Sequence, residues 1–215
     1  MSTYDIPPPD IGDEIEAWTQ ARLGKATASR IWEAIAKTKK GWSAYRLKYM
    51  SEIIAERLTG MREDVFLSQD MIWGAQSEYE AGIAYERRTK KKLKRGWVFI
   101  DHPTIRHTGA SPDAMVDDDG LIEIKCLKSA THIRYLLTRE IPEEHMAQMQ
   151  WQLACTRRAW VDYCCYEPRL PAALRLNIVR VERNDEAIAE MEMCVSQFQD
   201  EIDQAIQSIN DVCPA

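Results

Sequence analysis

The stretch from residue 111 to 126 constrains this chain more than any other. It reads Ser111-Pro112-Asp113, then Met115-Val116, an Asp117-Asp118-Asp119-Gly120 run, and Leu121-Ile122-Glu123-Ile124-Lys125-Cys126. An aspartate run ending in glycine between two apolar runs predicts a hairpin turn. Residues 121–126 then form a strand, whose side chains alternate between two faces. Glu123 and Lys125 share one face with Leu121. Ile122, Ile124 and Cys126 share the other, which reads as core. The hairpin brings Asp113 beside Glu123.

Two carboxylates and a lysine on one face have a known chemical use. Paired carboxylates bind Mg²⁺, a hard cation that prefers oxygen. Two such ions clamp the attacking and leaving oxygens of a phosphodiester. A lysine two residues along can orient or deprotonate the attacking water. Asp followed by Glu-x-Lys is the minimal signature of this nuclease chemistry. Taken alone, however, Glu-x-Lys on a strand is more often a solvated face with a weak ion pair.

Composition sets the limits within which that signature acts. At 215 residues the chain is expected to be one domain, 1–215, with a real core. Hydrophobic residues make up 45% and charged residues 29%, as in soluble globular chains. No apolar run approaches a membrane span, and the N-terminus lacks the basic and apolar regions of a signal peptide. The six cysteines show no Cys-x-x-Cys pair, so they read as reduced residues of a cytoplasmic protein. A net charge of −6 and a pI near 5.4 argue against a generally basic DNA-binding surface. Positive charge for a nuclease must therefore be concentrated locally.

Along the chain, residues 1–12 read as a loose arm and 14–20 begin a helix. Trp18 and Arg22 precede Gly24, which interrupts it, and Thr27 or Ser29 can cap a helix over 30–36. A helix start with hydroxyls and a nearby arginine also suits a phosphate; capping beside a surface arginine is the plainer reading. Residues 37–42 form a basic loop with Lys39 and Lys40, either a solvated turn or a phosphate contact. Ser43 is expected to cap a helix over 44–58 with Leu47, Met50, Ile54 and Leu58 in the core, ended by Gly60.

A second long helix is expected over 69–93, with Ala75, Glu78, Gly82 and Tyr85 on one stripe. Small neighbours point to close packing at Glu78, whereas exposure is usual for a glutamate. The basic run from Arg87 to Arg95 is either a solvated helix end or a phosphate contact. Strands are expected over 97–100, 104–107, 115–116, 121–126, 159–166 and 174–182. Helices are expected over 129–137, after Pro142, and from Asp185 to about 209 as the C-terminal helix. In the helix after Pro142, Gln148, Gln152 and Cys155 share a face, and His145 is a lone histidine of a kind that more often packs than ligates. The pattern is α/β or α+β, with the active residues on central strands.

Six stretches in this order resemble the lambda exonuclease family of phage-type recombination nucleases, also called YqaJ-like viral recombinases. They are Trp18-x3-Arg22-Leu-Gly24-x2-Thr27-Ala-Ser29, Trp73-Gly74-x-Gln76-x-Glu78, Ser111-Pro112-Asp113, Glu123-Ile-Lys125-Cys126, Met146-Ala-Gln148-x-Gln150 and Tyr166-Glu-Pro168-Arg169. The likeness covers roughly residues 14–205. It implies a restriction-endonuclease-like fold, a central mixed sheet flanked by helices. It implies a processive, magnesium-dependent 5′→3′ exonuclease on double-stranded DNA, releasing mononucleotides and leaving 3′ overhangs for a single-strand annealing protein. It further implies a homotrimeric ring threaded by DNA, which reconciles the acidic pI with phosphate contacts inside a channel.

The resemblance also assigns residues. Two Mg²⁺ ions, for which Mn²⁺ can substitute, fall to Asp113, Glu123 and the Ile124 carbonyl, with Glu78 as ligand or support. The water-activating lysine falls on Lys125 and the active-site glutamine on Gln148. The 5′-phosphate falls to Arg22, Thr27, Ser29 and Ser111, with Trp18, Lys39 and Lys40 as further DNA contacts. Three positions depart from the family pattern: His145 in place of tyrosine, Ala114 after Asp113 in place of glycine, and Ser77 before Glu78 in place of an aromatic. The competing readings are a structure-specific or RecB-type nuclease of the same metal chemistry, a DNA-end clamp with a dead site, and a plain α/β protein.

Overall fold

The structure, a computed structural model, describes residues 12–62, 69–96 and 98–212. The expected arm up to residue 11, Trp97 and Cys213 lie outside these, as do the side chains of 12–15 and of 69–76, including Trp73, Ala75 and Gln76. In chain order the elements are α1 (Gly12–Arg22), β1 (Ala26–Thr27), a 3-10 turn (Ala28–Arg30), α2 (Ile31–Ile35), β2 (Lys37–Thr38), β3 (Gly41–Trp42), α3 (Ala44–Thr59) and α4 (Gln69–Thr89). Next come β4 (Leu93–Lys94), β5 (Ile100–Asp101), β6 (Thr108–Ala110), β7 (Ala114–Val116), β8 (Gly120–Cys126), α5 (Ser129–Thr138) and α6 (Glu143–Thr156). The chain closes with β9 (Trp160–Tyr166), a 3-10 turn (Ala172–Leu174), β10 (Leu176–Glu182) and α7 (Asp185–Val212). This is the mixed α/β architecture expected.

The main sheet runs β10-β9-β8-β7-β4, with β8 central and parallel to β9 and the other pairs antiparallel. The predicted hairpin is β7–β8. Its register pairs Ala114 with Ile122 and Val116 with Gly120, and Asp117 takes the positive φ of 49° that the turn needs. Asparagine and aspartate tolerate that conformation because their short polar side chains bond locally.

Both faces of β8 are buried, where the sequence reading assigned the core to one. Ile122 and Ile124 pack with Ala81 and Tyr85 of α4, while Leu121 packs with α6 and α7 through residues such as Trp151 and Phe198. A strand covered by helices on both sides puts its polar residues under a helix too, and Glu123 is the result. Gly120 opens the strand against Trp160: a Cβ there would lie 2.1 Å from the indole ring. That ring is itself held between Arg180, 3.5 Å from its centroid, and Lys91. Gly120→Ala should therefore destabilise the fold by about 2–3 kcal/mol in urea denaturation. A loss under about 0.5 kcal/mol would mean that the ring moves aside freely.

Several local expectations are corrected. In α3 the buried residues are Arg46, Tyr49 and Ile53; Met50 and Ile54 are half-buried, and Leu47 and Leu58 are exposed. The helix is turned by its arginines. Arg46 is buried over the Trp42 and Phe198 rings and donates from Nε to the Ala34 carbonyl at 2.9 Å, and Arg57 donates to Gln199 and Asp203. An apolar count passes over such residues, whose long stems pack as hydrocarbon. Gly60 does end the helix in the left-handed conformation, its N–H on the Glu56 carbonyl.

Neither Thr27 nor Ser29 caps a helix; the two hydroxyls meet each other at 3.2 Å. Ser43 stands at the start of α3 without a side-chain cap. α4 stops at Thr89 rather than running to 93, because Lys90 turns left-handed and Leu93 joins the sheet. Residues 104–107 form a turn instead of a strand, Leu174 lies exposed in a 3-10 turn, and Asn184, not Asp185, caps α7 through the Ala187 N–H. The Tyr166-Glu-Pro168-Arg169 stretch is a structural clasp. The fully buried Glu167 accepts from the Arg169 guanidinium, the Arg169 N–H and the Ser129 hydroxyl, which hold its carboxyl down near about 2.

Candidate active site

Glu123 is the centre of the cluster, only 2% exposed on the α6 side of β8. A buried carboxylate needs partners on both oxygens. One oxygen, Oε1, receives Gln148 Nε2 at 2.8 Å and the Lys125 ammonium at 2.7 Å. The other, Oε2, receives Gln152 Nε2 at 2.6 Å. Lys125 Nζ also donates to Gln148 Oε1 at 3.0 Å, closing a ring of three side chains. The helical spacing of 148 and 152 puts both amides over the strand.

Asp113 stands one residue beyond the β7 pairing, opposite Glu123. Its Oδ2 accepts the Ile124 N–H at 2.6 Å, which fixes the carboxyl beside β8. Burial pushes its pKa well up, and Glu123 and Glu78 add to this. Glu78 comes from α4. Its residue surface is exposed, yet it lies at the crowded mouth of the same cluster, where lost hydration and then Glu123 raise its pKa to about 7. At Lys125 burial works against the charge, but Glu123, with Asp113 and Glu78, outweighs it and raises the pKa. The ammonium is therefore the stable form as placed. Three carboxylates share one lysine, too little positive charge for all three to ionise easily.

That imbalance tests whether a cation fits. The donors are all oxygen, as a hard divalent ion prefers, and the Ile124 carbonyl adjoins them on β8. Among the described residues no three Asp, Glu, His or Cys side chains stand close enough to enclose a metal as placed. The Lys125 ammonium instead sits against Glu123 Oε1, where positive charge is wanted. The donor set fits the ion in kind, with Lys125 as its present substitute.

A second group lies at the start of the chain. Arg22 stacks on Trp18 at 4.0 Å, and Trp18 Nε1 donates to the Ser111 hydroxyl at 2.8 Å. Arg22 Nε is buried with no hydrogen-bond partner, and burial, then Arg62, lowers its pKa to about 10. Arg22 opens on a cleft shared with Lys25, Thr27, Arg30, Tyr49 and Arg62. Glu52 and Glu56 line it too, but Glu52 holds Arg30 at 2.5 Å and Glu56 holds the Gly24 N–H at 2.8 Å. Ser29 is exposed beside the buried Thr27.

The structure thus brings Asp113, Glu123, Lys125, Glu78 and Gln148 together; Trp18 joins Arg22 to Ser111, and Arg22 shares its cleft with Thr27, whose hydroxyl meets that of Ser29. Lys39 and Lys40 are exposed at the tip of the β2–β3 hairpin. Three of the seven basic residues in the run from Arg87 to Arg95 are occupied structurally: Arg88 donates to the Leu176 carbonyl, Lys91 pairs with Asp117, and Arg95 pairs with Glu86 at 3.5 Å. His145 packs, its Nδ1 2.8 Å from the Tyr163 hydroxyl. Sequence reasoning gave Gln152 no role; the signal was its place one turn after Gln148.

A helix-flanked mixed sheet with this carboxylate–lysine cluster on its central strand defines a deoxyribonuclease. The chain belongs to the YqaJ-like viral recombinase domain family, whose profile matches residues 17–159. It is similar to an alkaline exonuclease from Laribacter hongkongensis, with 42% identity over 91% of this chain and 96% of that one and a TM-score of 0.84. The same relative solved in complex with dAMP superposes with a TM-score of 0.85 at the same identity. A phage-related exonuclease from Haemophilus somnus 129PT shares the fold, with 14% identity, 86% of this chain and 96% of that one covered, and a TM-score of 0.67. No curated protein matches the chain. The relatives make this an exonuclease of the phage type. Among the described residues no helix is long and apolar enough to cross a membrane.

Proposed function

We propose that the chain digests duplex DNA from 5′ ends in the 5′→3′ direction, using two Mg²⁺ ions with Mn²⁺ as a substitute. Asp113, Glu123 and the Ile124 carbonyl hold the ions, and Glu78 supports them. Such ions neutralise the scissile phosphate and make a nearby water more acidic. Lys125 positions that water; once the pull of Glu123 on its charge is relieved, its ammonium releases a proton to solvent and the neutral amine then takes up the proton of the water. Gln148 orients both Lys125 and Glu123. Mononucleotides leave, as the dAMP complex of the relative is consistent with, and a 3′ single strand remains.

One observation carries the polarity. Ser111 joins the two groups: it accepts from Trp18, which stacks on Arg22, and it lies two residues before Asp113. Arg22, desolvated and with a free buried N–H, wants an anion. A terminal 5′-phosphate held by Arg22, Thr27, Ser29 and Ser111 sets the next phosphodiester toward Asp113 and Glu123. Each cleavage makes a new 5′-phosphate for the same pocket, which favours processive movement. A homotrimeric ring around the DNA and a single-strand annealing partner for the 3′ overhang complete the reading.

Digestion of linear duplexes bearing 5′-phosphate or 5′-hydroxyl, with covalently closed circles as control, tests it. Closed circles should survive, and 5′-phosphorylated ends should be preferred. Arg22→Ala should reduce that preference by about tenfold or more, the worth of a charge-assisted hydrogen bond, with little change on 5′-hydroxyl ends. Equal preference before and after the substitution would remove the pocket.

A further inference from the structure

Gln152 is fully buried, and its amide is oriented at a disadvantage. Nε2 faces Glu123 Oε2 at 2.6 Å, while Oε1 is buried with no hydrogen-bond partner. Buried acceptors are rarely left unpaired, and each exception calls for a reason. Here the reason is the carboxylate: turned the other way, the amide carbonyl would face another acceptor oxygen. The orientation therefore shows that the second oxygen of Glu123 is held from beneath.

The two oxygens of Glu123 have different company. Oε1 shares Gln148 with Lys125, and Lys125 is partly open to solvent. Positive charge arriving at Oε1 must compete with that ammonium. Among the described residues Oε2 has one side-chain partner, and that partner has no access to solvent. When Lys125 turns to its own task, Gln152 is the contact that still fixes the plane of the carboxylate.

We propose that Gln152 is a positioning residue that fixes the plane of the Glu123 carboxylate and presents Oε1 to the divalent cation. The proposal deepens the metal-site reading above and rests on it. Partners behind a metal-ligating carboxylate typically set metal affinity by about 10–100-fold. Gln152 is thus a determinant of how much metal the enzyme needs, distinct from Gln148, which also touches Lys125.

Isothermal titration of Mn²⁺ into the metal-free protein, paired with the Mg²⁺ dependence of cleavage, tests this. Gln152→Leu removes the amide and the unpaired carbonyl together at similar volume. It should weaken Mn²⁺ binding by about tenfold and raise the half-saturating Mg²⁺ by the same factor, while kcat at saturating metal and KM for DNA stay within about twofold. Gln152→Met is the second variant should the leucine fail to fold. Glu123→Gln separates the two readings, since it must abolish Mn²⁺ binding if Glu123 is a ligand at all. Loss of binding in Glu123→Gln with unchanged affinity in a folded Gln152 variant overturns the role of Gln152 alone. Unchanged affinity in Glu123→Gln overturns the metal site itself.

Discussion

Lys125→Ala should lower single-turnover cleavage by about a thousandfold, within the range that a positioned proton-transfer group supplies. DNA affinity should change little, because Lys125 lies inside the carboxylate cluster, bonded to Glu123 and Gln148, and not on an open phosphate-binding face. The fold should survive, since Gln148 and Gln152 still donate to both Glu123 oxygens. Lys125→Arg should rescue little: a guanidinium keeps the charge but cannot give up a proton at working pH. Rapid-quench measurement with enzyme in excess over DNA reads the chemical step directly. Cleavage within tenfold of the unaltered enzyme would take Lys125 out of the reaction and leave it as a counter-ion.

Asp113→Asn should abolish cleavage and yet stabilise the metal-free protein. Asparagine keeps an oxygen for the Ile124 N–H but removes a buried charge crowded by Glu123 and Glu78. Replacing an ill-compensated buried charge commonly gains about 1–2 kcal/mol, a Tm rise of about 2–8 °C in a chain of this size. The effect should depend on pH. Asp113 and Glu78 keep their protons in the folded chain at pH values where the unfolded chain has lost them, with Glu78 near about 7. Stability from these groups is fully present below the ordinary carboxylate range and is lost as pH rises through about 7. Saturating Mg²⁺ should offset the loss, because the ion takes the place of those protons. Differential scanning calorimetry from pH 5 to pH 9, with and without Mg²⁺, should show the Asp113→Asn advantage growing with pH in the metal-free protein and disappearing with the ion. An Asp113→Asn protein less stable than the parent at pH 8.5 without metal would refute the crowding.

Those predictions rest on a site whose parts were unequally legible. The β7–β8 hairpin was readable because an aspartate run ending in Gly120 is strong turn chemistry and because period two fixes which side chains share a face. Placing Asp113 against Glu123 needed no more than that. The exposed Leu47 and Leu58 were misread because the face that α3 buries is set by Arg46 and Arg57, whose partners, Glu201, Gln199 and Asp203, lie over 140 residues away. No local pattern reports such pairings. The cap of α7 was missed by one residue, since Asn184 and Asp185 are both good caps and only tertiary geometry chooses. The second hold on Glu123 was invisible for a similar reason. Gln152 is one of three glutamines in five residues, and which of them crosses to Glu123 depends on how α6 lies over β8. Arg22 was placed near phosphate by resemblance; that its Nε is left unpartnered beneath Trp18 is known only from the fold.

Anomalous diffraction from crystals soaked in Mn²⁺ tests the central claim most directly. The account predicts density between the Asp113 and Glu123 carboxylates and the Ile124 carbonyl, with Lys125 Nζ displaced from Glu123 Oε1. Crystals of cleavage-competent protein with Mn²⁺ bound elsewhere, and Lys125 still seated on Glu123, would contradict it.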